Sequence, residues 1–553
     1  MKVIDDIHPD KLRGGIYTEP HVVDFCLARV RELRGQWGGR WLEPSAGDGA
    51  FLRGLARLIP RRDRRRVDIA AVELLKGEAA KCEDVMRAAG LPGQVGYCSF
   101  FEWAATNEET WDVVVGNPPF VRYQFVAEHE RALAEALVAK LGISLQGVSN
   151  LWIPFALVAM NRLVVGGCFA IVLPSELFCT VSGGQFREFL IRYFTDLSID
   201  LFPRGTFPEI LQDVVVVAGR RAVRPANARP VTFCEHRHGT KIYWRHRVTA
   251  SPESWLRYLL SEREHDAYVT ARSLDGFHRL GEVARLGVAI VTGANSFFTV
   301  TDATVARYGL QAWAIPLLAR TSDSPGVVFG KEDHDRARER GSRAWLLDFS
   351  DDRPEPNGHG RVSDYLAMGV AQELPRRYKC RIREPWYRVP HIRRGTLMMT
   401  KRAHHYHRLL LNRANAYTTD TIYRGEMHPL FRSRAGDLVS AFQNSLSLLS
   451  SEIEGRTYGG GVLELVPSEV ARLLVALVPT GDLLQRVDAI SRGVDGQRDP
   501  SHAVMQATDK FLAAQLPGYG ELLPLFDSAR RGLQARRQDQ GAQSGLSDWI
   551  DSQ

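Results

Sequence analysis

Between Glu43 and Phe51 the chain reads Glu-Pro-Ser-Ala-Gly-Asp-Gly-Ala-Phe, set between a strand-like run and a helical one. Glycines at 47 and 49 let the backbone approach a ligand closely, and the helix N-terminus behind them favours a negative group such as a carboxylate. Many α/β folds use the same residues only for a tight turn, so the pattern alone leaves both readings open. Glu73 ends the next strand-like run. An acid there can accept hydrogen bonds from both ribose hydroxyls of a nucleoside cofactor, as in dinucleotide-binding folds, or can simply face solvent.

The third group is Val115-Gly116-Asn117-Pro118-Pro119-Phe120, at the end of a further apolar run. It resembles the catalytic motif of the amino-methyltransferases of DNA, an Asn, Asp or Ser followed by Pro-Pro and Tyr or Phe. The resemblance implies S-adenosylmethionine as cofactor and a geometric mechanism. An aromatic amine is a poor nucleophile because its lone pair is delocalised into the ring. The Asn117 side-chain oxygen and the Pro118 carbonyl hold its two hydrogens, favour a pyramidal nitrogen and aim the lone pair for in-line attack. Pro118 and Pro119 stiffen the turn and remove competing donors. Phe120 offers a face on which an extruded base stacks.

Motif order narrows the resemblance. Gly15-Ile16-Tyr17-Thr18-Glu19-Pro20 precedes the glycine turn; Asn150-Leu151-Trp152, Gly166-Gly167 before Ala170–Pro174, and Phe186–Leu190 follow the Asn-Pro-Pro-Phe motif. This order is similar to the gamma-class, TaqI-like N6-adenine methyltransferases of restriction–modification systems. The similarity is clearest over about residues 14–220 and looser to about 470. It assigns cofactor contacts to Tyr17, Thr18, Glu43, Pro44, Ala46, Gly47, Gly49, Glu73, Ser99, Phe100 and Asn117. Two positions depart from the family. Ser99 stands where an Asp often binds the cofactor's adenine amino group, with Glu102 as the other acceptor in reach. Phe100 beside it is either a stacking partner of that adenine or a core aromatic. Gly183 stands where a second aromatic would sandwich the extruded base, which leaves Phe178 as a substitute or the sandwich one-sided.

Recognition of a DNA sequence needs a surface larger than this pocket. Arg376 to Arg413 carries twelve Lys/Arg against one acid, Glu384, a net of +11 that exceeds the +7 of the whole chain. Aromatics are interleaved at Tyr378, Trp386, Tyr387 and Tyr406. The mixture suits phosphate contacts with base or sugar packing, and a solvated basic face is the plain alternative. Arg376, Arg377, Lys379, Arg381, Arg383, Trp386, Lys401 and Arg402 are the candidate DNA contacts. Leu280–Val283 with Val291–Asn295 resembles the start of a target-recognition domain, and Arg424 and Thr457–Gly461 lie in family-like segments.

These groups have to be positioned by elements. Strand candidates are 41–44, 67–73, 95–98, 111–117, 168–174, 197–202 and 213–219, with helical patterns at 51–59, 74–90 and 150–164. Alternation of this kind predicts an α/β fold: a mostly parallel, Rossmann-like sheet of the class I methyltransferase type. The last two strands lack a helix between them, which predicts one antiparallel hairpin strand. Regular alternation stops near Arg220; helical patterns return at 436–453 and 467–491, and 348–361 has the composition of an exposed loop. The expected organisation is a catalytic domain at 1–245, a mixed α/β target-recognition domain at 246–526 and a polar tail at 527–553.

With 553 residues, 44% hydrophobic and 24% charged, the chain is too long for one core and has the composition of a soluble globular protein. The start lacks the apolar run of a leader, and the most apolar stretch, Phe155 to Leu173, is interrupted by Asn161, Arg162 and a Gly pair, so no membrane span is expected. A bacterial cytoplasmic location, with the nucleoid through DNA, is expected. The seven cysteines form no CxxC pair and read as reduced thiols. Cys234, His236 and His238, like His404, His405 and His407, lack a complementary ligand pair, so no metal is expected. No nuclease domain is expected upstream of the Tyr17 segment, and no GxxxxGK[ST] motif is present. The expected activity is N6-adenine methylation of double-stranded DNA by a monomer, as the protective partner of a cognate type II restriction endonuclease. N4-cytosine methylation, or methylation of rRNA or a protein glutamine, is the alternative.

Overall fold

The structure, a computed structural model, describes residues 18–145, 147–202, 214–237, 240–356, 360–493 and 500–538. The chain divides into two compact units at Glu262/Arg263. The first is built on nine strands: β1 (Gly39–Glu43), β2 (Val67–Glu73), β3 (Gly93–Tyr97), β4 (Trp111–Gly116), β5 (Leu163–Pro174), β6 (Phe194–Leu201), β7 (Val214–Arg221), β8 (Ala228–Arg237) and β9 (Thr240–Thr249). Between or before them lie α1 (Pro20–Arg34), α2 (Ala50–Leu58), α3 (Lys76–Ala89), α4 (Phe100–Thr106), α5 (Glu128–Ala139), α6 (Trp152–Asn161) and α7 (Gly184–Tyr193).

The strand order is β3-β2-β1-β4-β5-β7-β6-β8-β9. β1 to β5 pair parallel with one another, and β7 lies antiparallel between β5 and β6, the hairpin strand expected from the sequence. Order reverses between β1 and β4, so the loops leaving their C-terminal ends open a crevice there, where doubly wound sheets bind ligands. The central strands are apolar on both faces: β4 buries Val113, Val114 and Val115, and β5 buries everything from Gly167 to Pro174. That is the pattern of strands covered by helices on both sides. α1 buries Val22, Val23, Cys26, Leu27 and Val30, a stripe at helical spacing, and ends on Gly35 in the left-handed conformation. α2 crosses α1 so closely that a Cβ on Gly54 would lie 2.4 Å from Val23 Cγ1.

Two strands beyond Arg220 extend the sheet where the sequence was read as irregular. β8 and β9 pair antiparallel over ten residues each, from Ala228↔Thr249 to Arg237↔Thr240. Lys241, Arg245 and Arg247 on β9 face solvent, since it is an edge strand, while polar His246 takes a buried position, and so the alternation is diluted. The expected boundary at 245/246 falls inside β9. The first unit continues because Trp255 and Tyr258 are buried against Phe233, with ring centroids 6.2 and 5.8 Å away, and the Trp255 amide donates to the Phe178 carbonyl at 2.7 Å.

The second unit, Arg263–Gln538, is mixed α/β. Its largest sheet has five strands, in the order 284–287, 422–427, 397–400, 409–412 and 328–329. Helices Ala435–Ala441 and Ser445–Glu454 replace the single helical run expected at 436–453; Asn444 breaks it and caps the second, its side chain accepting from the Ser447 amide at 2.8 Å. The run at 467–491 is likewise interrupted by a strand, Leu474–Ala476, paired with Phe277–Arg279. The expected polar tail begins inside helix Pro517–Gln538, which buries Tyr519, Phe526, Ala529, Arg530, Leu533 and Arg537. Among the described residues no helix is long and apolar enough to cross a membrane.

Candidate active site at the ends of the first and fourth strands

The glycine turn leaves β1, and the Asn-Pro-Pro-Phe turn leaves β4, so the strand order makes them neighbours. Gly47 and Gly49 have φ of 53° and 83°, a left-handed backbone that L side chains rarely adopt, and Gly49 begins α2. The turn is pinned to β2 from two sides. The Ala46 amide donates to the Val72 carbonyl at 2.9 Å, and the Gly47 amide donates to Glu73 Oε2 at 2.8 Å. The other Glu73 oxygen accepts the Leu75 amide at 2.8 Å. Each carboxylate oxygen has about two acceptor directions, so both keep capacity for a hydroxyl. Glu73 is half-buried, and that burial pushes its carboxyl above the ordinary value against the pull of the two amides.

Glu43 lies beneath the turn, 2% exposed, with no hydrogen-bond partner for its Oε2 among the described residues. Burial, then the charges of Asp48 and Glu73, hold its carboxyl well above the usual range. Cys82 closes the floor: its thiol donates to the Gly47 carbonyl at 3.3 Å, and burial beside these acids pushes it up to about 12.

The two turns are bonded to each other. Ser45 Oγ donates to the Asn117 carbonyl at 3.0 Å, and the Pro44 ring packs under Gly116. The Asn117 amide nitrogen donates to Thr18 Oγ1 at 3.2 Å, which fixes the way the side-chain oxygen faces. Pro118 is buried, whereas Asn117, Pro119 and Phe120 are partly exposed. After the turn, Tyr123 and Leu151 donate their amides to the Ser149 and Val121 carbonyls at 3.0 and 2.8 Å. Ser149 in turn bonds Ser182 at 2.9 Å, which brings the loop after β5 to the same place. Buried Arg187 holds that loop by donating to the carbonyls of Leu177 and Thr180 at 2.7 and 3.1 Å.

Ser99 caps α4, its Oγ accepting the Phe101 amide at 3.2 Å, and Glu102 is exposed on that helix. Phe100 is 4% exposed and packs on Phe155 at 4.6 Å, the core-aromatic reading. Sequence reasoning did not single out Leu74 and Leu75, 63% and 39% exposed directly after Glu73, an uncovered apolar wall beside that acid. Two large apolar residues following a strand-end acid are the signal that would have found them. Gly183 has no room for an aromatic, because its Cβ would lie 3.0 Å from Thr180 Oγ1 and 3.2 Å from Arg187 Nη1. Phe178 is not available as a substitute either; it is 1% exposed and faces Phe233. Tyr17 and His238 lie outside the described residues.

Folding brings Asp200, Cys234 and His236 together, a grouping that sequence spacing did not reveal. Arg29 donates to Asp200 Oδ1 at 2.8 Å, the same oxygen that meets His236 at 2.9 Å, so a guanidinium already supplies positive charge there. His407 is buried with Nδ1 2.9 Å from the Thr400 carbonyl, and burial lowers it to about 4.

The candidate DNA contacts differ in what already engages them. Arg383 donates to the carbonyls of Thr292 and Val291 at 2.7 and 2.8 Å, and Trp386 packs on Phe297 at 5.4 Å, so both hold the fold. Lys401 and Arg402 share Glu464, and Arg376 pairs with Glu373. Arg377, Lys379 and Arg381 are exposed, with no carboxylate partner among the described residues.

Residues 252–512 match the family model described as the type II methyltransferase M.Eco57I, C-terminal domain, and residues 89–203 match the Eco57I restriction-modification methylase model. The chain is 19% identical over 294 residues to the type II methyltransferase M.AccI of Acinetobacter calcoaceticus, covering 50% of this chain and 52% of that one. It is 22% identical over 485 residues to M.XamI of Xanthomonas campestris pv. amaranthicola, covering 84% and 85%. The structure of the type IIL restriction-modification enzyme MmeI in complex with DNA aligns over 98% of this chain and 74% of that one, at 12% identity and a TM-score of 0.47. The chain thus spans about half the length of M.AccI but most of M.XamI. With one model matched over 89–203 and the other over 252–512, the chain is similar in both of its units to the Eco57I-like type II restriction–modification methyltransferases.

Proposed function

We propose that the protein methylates the N6 amino group of adenine in double-stranded DNA, using S-adenosylmethionine and an extruded base, as the modification enzyme of a type II system. The observation that carries this is the Ser45 Oγ bond to the Asn117 carbonyl at 3.0 Å. It fixes the turn that would hold the amine against the turn that would hold the cofactor. The residues present fit that cofactor. Glu73 keeps acceptor capacity for ribose hydroxyls, Leu74 offers an apolar wall for a purine, and the α2 N-terminus faces the turn as a site for a carboxylate. When bound, S-adenosylmethionine supplies an electrophilic methyl group on a sulfonium.

The chain's own contribution is orientation and exclusion. Asn117 Oδ1 and the Pro118 carbonyl accept the two amine hydrogens and concentrate the lone pair on nitrogen, a gain of positioning and not of acid–base chemistry. Phe120 supplies a stacking face, and Gly183 leaves the opposite side without an aromatic, so the grip is one-sided. Duplex DNA incubated with the protein and labelled cofactor, then digested to nucleosides, should yield labelled N6-methyladenine. Methylcytosine as the only product would overturn the adenine assignment, and label in RNA or protein but not DNA would overturn the substrate.

A further inference from the structure

Tyr378–Arg381 is a single helical turn in the second unit, anchored from below. Cys380 is buried, and a Cβ on Gly293 would lie 2.7 Å from Lys379 Cβ and 3.4 Å from Cys380 Sγ, so the helix sits directly on the 291–293 loop. Arg383 ties the two together through the Val291 and Thr292 carbonyls. The outer side of this rigid mount is apolar where a surface is ordinarily polar. Tyr378 is 61% and Ile382 is 62% exposed, four residues apart, and Val291 on the adjoining loop is 38% exposed. Interleaved with them are the exposed cations Arg377, Lys379 and Arg381.

A prominent apolar tip among uncompensated cations matches a polyanion with an apolar interior: stacked bases between two rails of phosphate. We propose that Tyr378 and Ile382 form a wedge that enters the DNA duplex between base steps, while Arg377, Lys379 and Arg381 take the flanking phosphates. This rests on the reading of DNA as substrate. Apolar side chains inserted between base steps unstack them, and unstacking is the cost of extruding a target base. The wedge therefore lowers that cost from the recognition half of the protein.

The test uses the full chain and a synthetic duplex carrying the site that the wild-type protein modifies, located by sequencing modified DNA. Tyr378→Ala with Ile382→Ala should slow methylation of the paired duplex by at least about tenfold. On the same duplex with the target base mispaired, the loss should shrink to about twofold, because a mispaired base is already loosened. Replacing Arg377, Lys379 and Arg381 by Ala should weaken DNA binding and reduce the slope of log affinity on log salt by about 2.7, near 0.9 per phosphate contact. An Ile382→Cys chain should form a disulfide with a duplex bearing a thiol-tethered base inside the site, where the parent chain does not. Full activity of the apolar variant on the paired duplex would overturn the wedge and assign the patch to a protein partner. Equal losses on paired and mispaired duplexes, without the cross-link, would also overturn it. Failure of the wild-type protein to methylate any DNA would instead overturn the function on which the wedge rests.

Discussion

In the proposed reaction Asn117 presents an oxygen to an amine, and the bond from its side-chain nitrogen to Thr18 decides which way that oxygen faces. Asn117→Ala is therefore expected to abolish transfer while cofactor affinity, measured by calorimetry, stays within a few-fold. Phe120→Ala should lose only about 1–3 kcal/mol of stacking on the extruded base, read as a lower kcat/KM. Activity within twofold of wild type for Asn117→Ala would sink the mechanism. Glu43 gives a prediction of a different kind. Its folded-state carboxyl is raised above the ordinary 4.5, so its stability contribution is fully present below that value and is lost as pH rises. Glu43→Gln, which keeps the neutral shape, should flatten the fall in Tm as pH rises above the ordinary carboxylate range. An unchanged pH slope would show that the group is not protonated in the folded protein. Glu43, Glu73 and Asn117 were all legible in the sequence because their chemistry sits in short motifs. Ser45 stands inside the same motif without drawing notice, since nothing in a linear pattern says that its hydroxyl crosses to the turn after β4.

At the scale of elements, the apolar strands announced themselves and the polar ones did not. β2, β4, β5 and β7 carry runs such as Val-Val-Val-Val that admit only buried parallel or sandwiched strands. β8 and β9 escape notice because Lys and Arg fill the positions that β9, an edge strand, shows to water, and because polar Glu235, His236 and His246 occupy buried positions where an apolar residue would mark a strand. The C-terminal helices were missed for the opposite reason. Pro517–Gln538 turns polar in its second half, with Arg and Gln clustered over 530–538, yet that half docks through a buried ion pair. Arg537 donates to both Glu452 oxygens, at 2.8 and 2.9 Å, and also reaches the His404 and Gly461 carbonyls. Burial pushes the Glu452 carboxyl up and the guanidinium pulls it back. Arg537→Ala leaves a buried acid unpaired and should cost about 3–5 kcal/mol in chemical denaturation. Arg537→Met combined with Glu452→Leu should recover most of it. Equal destabilisation in both variants would show that the helix, and not the pair, carries the stability.

For the whole molecule, charge and chemistry are divided between the units. Residues 1–262 hold every motif assigned to cofactor and amine, whereas Arg377, Lys379 and Arg381 lie in the second unit. A fragment of about residues 1–262 should bind S-adenosylmethionine but show little DNA affinity and a shallow salt dependence. If the intact protein neutralises about six phosphates, its own affinity should fall about a thousandfold between about 50 and 200 mM salt. A fragment that kept the full salt slope would move recognition into the first unit. The break belongs at 262 and not at the 245 suggested by the change in sequence character, because Trp255 and Tyr258 complete the first core. Within that unit the Ser45–Asn117 bond has a thermodynamic corollary. Under the proposed function, whatever factor the cofactor contributes to target-base affinity through this bond, the base contributes the same factor to cofactor affinity. Ser45→Ala is then expected to shrink both effects equally, since one hydroxyl carries the link in either direction.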